Sequence, residues 1–543
     1  MSCFKIGVFV AFLSAFGCVL GCADVKDEPI KKEILPNIIW LVAEDQSPHF
    51  FPMYGDSTIA LPNLATLSKD GVVFNNAYAP VPVCAPTRSA IITGMYPTSL
   101  GTHNMRTYNA YSTENQPEIN IPSYSPIVPQ ATVMFTQLLR AKGYYCSNNP
   151  KEDYNFQKLE TAWDESGELA HWRKRKAGQP FFSVFNFNVC HESGIWRQGA
   201  ESLFVDPKTI PVPPIFPDDS IVRHDLAVNY SNLKRMDDQV GIIIDQLKED
   251  GLYENSIIFF YADHGGPFPR YKRALYETGT KVPMIIKFAS NKKTEDFNDD
   301  LVNFIDLAPT VLSLSGIKPP SSMQGKALFG AFSDKNKRNY LFTTSDRFDG
   351  TVDRLRAVRS RNYKYIKNFN IDQTNALPVK YREQMPMMPR LRKLFGQGLL
   401  NEAQAKWFSV PKPEEELYDL RVDPYELINL ADQEAVKDTL GHLREVLKDW
   451  IHTTKDLGQF PEKELMDKWL VDGKQPKLNS PVVEKTKKGV VITHGISDAS
   501  ILWRIDKDTV WRVYTDAISE KGNLWAKAVR IGYQESEEVA LDP

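Results

Sequence analysis

Apolar residues past position 35 fall into two kinds of run. Ile38-Ile39-Trp40-Leu41-Val42-Ala43 is unbroken, follows Pro36-Asn37 and ends in Glu44-Asp45. A short continuous run of this kind predicts a strand covered on both faces. Phe181–Val189 repeats the form and ends near Cys190-His191, and Ile257–Ala262 runs into Asp263-His264-Gly265-Gly266. Between these two, Leu233, Met236, Val240, Ile243 and Leu247 keep helical spacing, with Gly251 as the stop. Alternating strand, helix and strand predicts an α/β fold, a parallel sheet sandwiched by helices. The polar ends of its strands then meet at the carboxyl edge, where open α/β sheets hold ligands.

From about residue 340 the pattern changes. Arg354–Phe369 and Glu416–Leu420 read as strands of an antiparallel unit, with helical spacing between Gln433 and Leu457. Gln475–Lys488 is rich in Pro and Lys and reads as a linker, and Gly489–Pro543 alternates apolar and polar residues as a small β module. The expected division is a catalytic α/β domain over 36–340, an antiparallel α+β subdomain over 341–474, a linker over 475–488 and a terminal β module over 489–543.

The first 35 residues follow other rules. Lys5 precedes an apolar run from Ile6 to Leu20, too short for a typical spanning helix and laid out like a signal-peptide core. Val19-Leu20-Gly21 before Cys22 resembles a bacterial lipobox, and an ordinary cleaved signal is the alternative. The expectation is a signal over 1–21, a spacer over 22–35, and export to the periplasm or cell surface with a lipid anchor at Cys22. Cys84, Cys146 and Cys190 remain in the mature chain, an odd number that requires an unpaired or modified cysteine. A net charge of −3 gives no general pull toward nucleic acid, and the membrane is expected only through the anchor.

The chemistry concentrates at Val83-Cys84-Ala85-Pro86-Thr87-Arg88-Ser89 through Thr93-Gly94. Pro86 suits a first helical turn, so Cys84 is placed at a helix N-terminus, which favours an anion. Cys-x-Pro-x-Arg followed by Thr-Gly resembles the type I sulfatases of the alkaline phosphatase superfamily, closest to their sulfamidase-like branch. The likeness continues through the Asp263–Pro269 loop and the closing Glu416–Leu420, Asp423-Pro424 and Asn429-Leu430. It implies an alkaline-phosphatase-like, mostly parallel sheet flanked by helices, and Cys84 oxidised to formylglycine by a maturating enzyme. The hydrated aldehyde would then be the nucleophile, with Arg88 holding it.

Further roles follow from the resemblance. Glu44, Asp45, Cys84, Asp263 and His264 match the positions that bind Ca²⁺, with two departures. Glu44 is longer than the usual Asp, and His264 stands where an amide is common. Lys151 and Lys272 match the sulfate-binding lysines, and His191 the leaving-group histidine. Asp153 stands where relatives carry a histidine, and is expected to bind Lys151 or a sugar hydroxyl. His103 and Arg106 either face substrate or lie on the surface. Arg270 and Lys281 are weaker candidates, the Arg270–Arg273 run being of a kind often found in solvated loops. Trp196-Arg197 and Arg347–Arg354 are candidates for sugar contacts. The expected activity is hydrolysis of sulfate esters on polysaccharide-derived sugars, algal or glycosaminoglycan-like. A phosphodiesterase or phosphonate hydrolase of the same superfamily and a non-catalytic sulfoglycan-binding lipoprotein are the alternatives. A thiol oxidoreductase is disfavoured by the lack of a Cys-x-x-Cys.

Overall fold

The computed structural model describes residues 35–108, 121–291, 293, 295–506 and 508–541. The expected leader, Cys22 and nearly all of the spacer lie outside them. No helix among the described residues is long and apolar enough to cross a membrane.

The main sheet consists of β1 (Asn37–Ala43), β2 (Val72–Phe74), β3 (Tyr145–Asn149), β4 (Glu165–Ser166), β5 (Phe181–Phe187), β6 (Ser256–Ala262), β7 (Met284–Lys287) and β8 (Phe297–Asn298). Their spatial order is β8-β2-β7-β6-β1-β5-β3-β4. The three apolar runs read from the sequence are β1, β5 and β6, adjacent and parallel. Ala43 pairs with both Phe187 and Ala262, so the three strands end level with one another. Only β7 runs against its neighbours. β1 is buried after its first residue because both faces are covered. On one face Trp40 meets Phe182 edge-on at 4.9 Å and Tyr261 at 5.5 Å, contacts that add to the large apolar burial of these rings.

Helix α1 (Cys84–Thr93) is buried at every residue. Its hydroxyls are satisfied locally: Thr87 donates to the Val81 carbonyl at 2.6 Å and Thr93 to the Ser89 carbonyl at 2.7 Å. Gly94, at φ 69°, ends it in the left-handed conformation open to glycine. A short helix, α2 (Ser193–Arg197), follows β5. The long helix α3 (Ser220–Glu249) begins well before the periodic stretch, capped by Asp219, which accepts from the Ile221 amide at 3.0 Å. Its first half buries Asn229, Ser231 and Asn232 beside apolar residues, which interrupts the apolar period and hid that half from the sequence reading.

β9 (Leu341–Phe348), β10 (Thr351–Arg359), β11 (Tyr363–Asn368) and β12 (Glu415–Asp419) form an antiparallel sheet. Helix α4 (Lys437–Thr453) packs Leu440, Leu443, Leu447 and Trp450 against its Val358, Tyr365 and Leu417. Gln475–Lys488, expected as a linker, holds a strand: Val482–Thr486 pairs with Gly489–Thr493, and the Leu478 amide donates to the Gln534 carbonyl at 3.1 Å. Its backbone is tied into sheet pairing while its lysines stay exposed, so its composition imitates a tether. A further sheet follows, with Ser500–Ile505 pairing Leu524–Val529.

Candidate active site

The level ends of β6, β1 and β5, with the end of neighbouring β3, bring distant residues into one buried cluster. Glu44 and Asp45 leave β1, Asp263 and His264 leave β6, His191 follows β5 and Lys151 follows β3. Asp45 sits at φ 48°, a left-handed backbone that costs a non-glycine residue about 1 kcal/mol or more. The Asp45 amide donates to Asp263 Oδ1 at 3.1 Å, which helps hold that turn.

Cys84 Sγ, at the first turn of α1, is 3.3 Å from His264 Nε2 and 3.9 Å from both Glu44 Oε2 and Asp45 Oδ1. Arg88, one turn on, pairs with Glu44, reaches Asp263 Oδ2 at 3.3 Å and donates to Asn186 Oδ1 at 2.8 Å. Lys151 Nζ is 2.6 Å from Glu44 Oε2. Lys272 Nζ is 2.7 Å from Asp45 Oδ2, 3.1 Å from Glu192 Oε1 and 3.2 Å from His191 Nε2. His264 Nε2 is 3.0 Å from Asp45 Oδ1.

These contacts set the protonation states. Burial pushes the Cys84 thiol up, but Lys151 and Lys272 more than offset it and bring it down to about 7. For Asp45, burial is likewise outweighed, here by Lys272, His191 and His264, so the carboxyl titrates well below its usual range. Asp263 is held low against burial by His264 and Arg88. Burial disfavours the Lys272 ammonium, yet Asp45, Cys84 and Glu192 hold its proton on.

Of the expected residues, Glu44, Asp45, Cys84, Arg88, Lys151, His191, Asp263, His264 and Lys272 thus converge. Asp153 lies 3.9 Å from both Lys151 and Arg106 at a cavity of about 600 Å³, which Arg106, Lys151 and His191 also line. His103 does not line that cavity: it is 2% exposed, and its charged neighbours are Asp346 and Asp456. The Arg270–Arg273 run is buried rather than solvated. Arg270 is structural, donating to the Tyr425 and Glu426 carbonyls at 2.8 and 2.7 Å. Burial holds the Lys281 ammonium below its usual range, with Glu277 opposing. Arg347 is engaged by Glu462 at 2.6 and 2.7 Å and Arg354 lies over the Phe369 ring, so the proposed sugar contacts there are internal packing. Arg197 does line the cavity.

Sequence reading missed Glu192, Arg273 and Tyr381. Glu192 is buried and accepts from both terminal nitrogens of Arg273 at 2.9 Å, while its amide donates to Asp45 Oδ2 at 2.7 Å. Arg273 also donates to Asp349 at 2.9 Å, in the turn between β9 and β10. The one available signal was adjacency, since Glu192 follows His191 and Arg273 follows Lys272.

Known proteins match the sequence and the fold along most of the chain. The family model described as Sulfatase covers residues 36–317, and the one described as N-sulphoglucosamine sulphohydrolase, C-terminal, covers 267–383. An ulvan-active sulfatase of Formosa agariphila is 38% identical over 586 aligned residues, covering 98% of this chain and 97% of that protein. The human N-sulphoglucosamine sulphohydrolase is 24% identical over 74% of this chain and 87% of its own length. Among solved structures, a 2-O GAG sulfatase superposes with a TM-score of 0.55 at 18% identity, covering 78% of this chain and 93% of its own. A protein solved in complex with its substrate D-glucosamine-2-N,6-O-disulfate gives 0.54 at 14% identity, with 78% and 98% covered. These likenesses show the fold.

Proposed function

The chain belongs to the sulfatase family, and we propose that it removes sulfate from sulfated carbohydrates using Cys84, matured to formylglycine, and a calcium ion. The observation that carries this reading is Cys84 Sγ at the start of α1, 3.3–3.9 Å from His264, Glu44 and Asp45. The ulvan-active relative supports sulfated algal sugars first, and the human N-sulphoglucosamine sulphohydrolase supports N-sulfated glucosamine second.

The residues fit the ion. Glu44, Asp45 and Asp263 offer hard oxygens from buried carboxylates, and candidate ligand atoms of Asp45, Cys84, Asp263 and His264 lie within 4.8 Å of one another. Charge balance points the same way. Glu44, Asp45, Asp263 and Glu192 face Arg88, Lys151, Lys272 and Arg273, four carboxylates against four cations. The side chains alone offer a sulfate little net positive charge, which a bound dication would supply. His264, 3.0 Å from Asp45, serves either as a ligand or as the partner that orients Asp45.

When present, the hydrated aldehyde supplies one hydroxyl to attack sulfur and a second whose deprotonation releases sulfate. The remaining work belongs to the chain. Lys151 and Lys272 lower the Cys84 thiol and favour an ionised nucleophile at that position. Lys272 and Lys151 hold sulfate oxygens from two sides, in a buried setting where such charges act strongly. His191, its Nδ1 2.9 Å from Ser193 Oγ and its Nε2 next to Lys272, delivers the proton to the departing sugar oxygen. Export, a lipid anchor at Cys22 and action of a maturating enzyme on Cys84 complete the proposal. The test is release of inorganic sulfate from ulvan, heparin, carrageenan and fucoidan oligosaccharides, beside an aryl sulfate and an aryl phosphate. Turnover confined to the aryl phosphate would move the chain to the phosphodiesterase reading, and turnover confined to the aryl sulfate would remove the carbohydrate assignment.

A further inference from the structure

The cavity that receives Lys151 and His191 has two unlike walls. On one, Glu152 pairs with Lys158 at 2.7 Å, and Asp153 lies 3.9 Å from both Arg106 and Lys151, its Oδ2 without a hydrogen bond among the described residues. The other wall carries Arg197, at the end of α2, and Tyr381. Arg197 is exposed, and among the described residues no ion pair or hydrogen bond engages its side chain. Tyr381 stands edge-on to Trp196 at 5.1 Å and 6.2 Å from the His191 ring.

The residue after Tyr381 provides an independent observation. Arg382 is 2% exposed, donates to the Leu377 carbonyl at 2.6 Å and leaves its Nε without a partner. No carboxylate pairs with it among the described residues, although buried cations are ordinarily paired. Burial and nearby Arg273 bring its guanidinium down to about 9, partly offset by Glu192 and Glu383, and the Trp407 ring lies 5.3 Å from it. The cluster around Cys84 spends Arg88, Lys151, Lys272 and Arg273 on its own carboxylates, and Arg197 takes no part in those pairs.

From this we infer a second anion subsite on the Arg197–Tyr381 wall, selecting sulfated sugars that carry a further negative group beside the scissile ester. The inference rests on the carbohydrate reading above. A sugar whose ester oxygen meets His191 lies against Tyr381, whose ring offers it an apolar face, with Arg197 at the open end. The second group is a carboxylate or a second sulfate, since a guanidinium takes either in a bidentate fork. Arg382, next along the chain from Tyr381, adds positive field without contact.

The test compares three sulfated disaccharides: one with a neighbouring uronate, its carboxyl-reduced counterpart, and that counterpart bearing a second sulfate. The matured wild type should prefer a doubly anionic sugar by about tenfold or more in kcat/KM, the scale of one charge-assisted contact. Preference for the uronate assigns a carboxylate, and preference for the disulfate assigns a sulfate. Arg197→Glu should erase the preference and Arg197→Lys should keep most of it, with the loss falling on KM because the contact is made equally in ground and transition states. Binding of the desulfated, uronate-bearing product, read by calorimetry, should weaken in parallel. Arg197 is exposed, so these variants fold. Equal turnover of all three sugars by wild type, or a preference untouched by Arg197→Glu, overturns the subsite while leaving the carbohydrate reading standing. No sulfate from any sugar, with an aryl sulfate still turned over, overturns the carbohydrate reading and the subsite with it.

Discussion

Replacing Glu192 by glutamine removes one negative charge from a site closed to water while preserving side-chain size. In the native arrangement this carboxylate accepts two hydrogen bonds from Arg273 at 2.9 Å and sits 3.1 Å from Lys272. Loss of one member of a buried ion pair ordinarily costs about 3–5 kcal/mol. Here each cation keeps another carboxylate, Asp349 for Arg273 and Asp45 for Lys272. Repulsion between Glu192 and Asp45 is also relieved. The stability loss should therefore lie at or below the lower end, about 3 kcal/mol. The larger effect is on turnover. Without Glu192, Lys272 is drawn toward Asp45 alone, and a displacement of about 1 Å in a group that positions substrate lowers rate by about 100-fold. The chain's sulfate release should show that loss mainly in kcat, and Glu192→Asp, which keeps the charge but shortens its reach, should fall between.

The acid limb gives a second measure of the same residue. Burial raises the Glu192 carboxyl, and Arg273 and Lys272 reverse this and hold it well below the usual range. A depressed folded-state value contributes stability that is present above the ordinary glutamate range and lost as pH falls below it. Denaturation curves of wild type and Glu192→Gln should thus differ near neutrality and converge in acid. A variant with wild-type kcat would refute the positioning argument, whatever its stability. A constant stability gap down to strongly acidic pH would refute the electrostatic account.

Mass spectrometry of the peptide spanning Cys84 should show the aldehyde form in the native host, and Cys84→Ala should abolish turnover without changing the circular dichroism; full activity in that variant would exclude the mechanism. Chelation should remove activity and Ca²⁺ restore it, with Asp263→Asn raising the concentration required; a chelated protein at full activity would rule out the ion. Asp225 is buried and its carboxyl is raised to about 7, the Met387 amide, donating to it at 2.7 Å, opposing burial. Because a raised carboxyl loses stability as pH climbs from about 4 toward 7, Asp225→Asn should leave stability unchanged at low pH and gain up to about 4 kcal/mol near pH 8. Equal effects at the two pH values, read by urea denaturation, would remove burial as the cause.

The parts of this site that were legible in the sequence share one physical origin. A strand buried on both faces needs an unbroken apolar run, so the first polar residue after it marks the edge of the sheet. Glu44-Asp45, Asp263-His264 and the approach to His191 announce themselves that way, and pairing of Ala43 with Phe187 and Ala262 turns three separate endings into one place. Cys84 and Arg88 were legible for another reason: a cysteine at a helix start and a guanidinium one turn later form a local pattern. The division at the C-terminal end was harder to read, because Val482–Thr486 is stabilised by backbone pairing, which leaves no mark on composition.

What escaped was built from contacts without a local pattern. Arg273 and Glu192 are 81 residues apart, and Arg273 and Asp349 are 76 apart. A basic run looks alike in sequence whether solvent or a buried carboxylate receives it, and only chain topology decides. His103 and Arg347 show the reverse error. Each has the chemistry of a substrate contact, yet His103 is enclosed beside Asp346 and Asp456, and Arg347 is bound by Glu462 from a distant segment. Residue type therefore identifies candidates, whereas the partners of each cation and where they stand separate framework from site. By that criterion Arg347 and Arg270 are framework, Lys151 and Lys272 are held at the site by carboxylates, and Arg197 remains open.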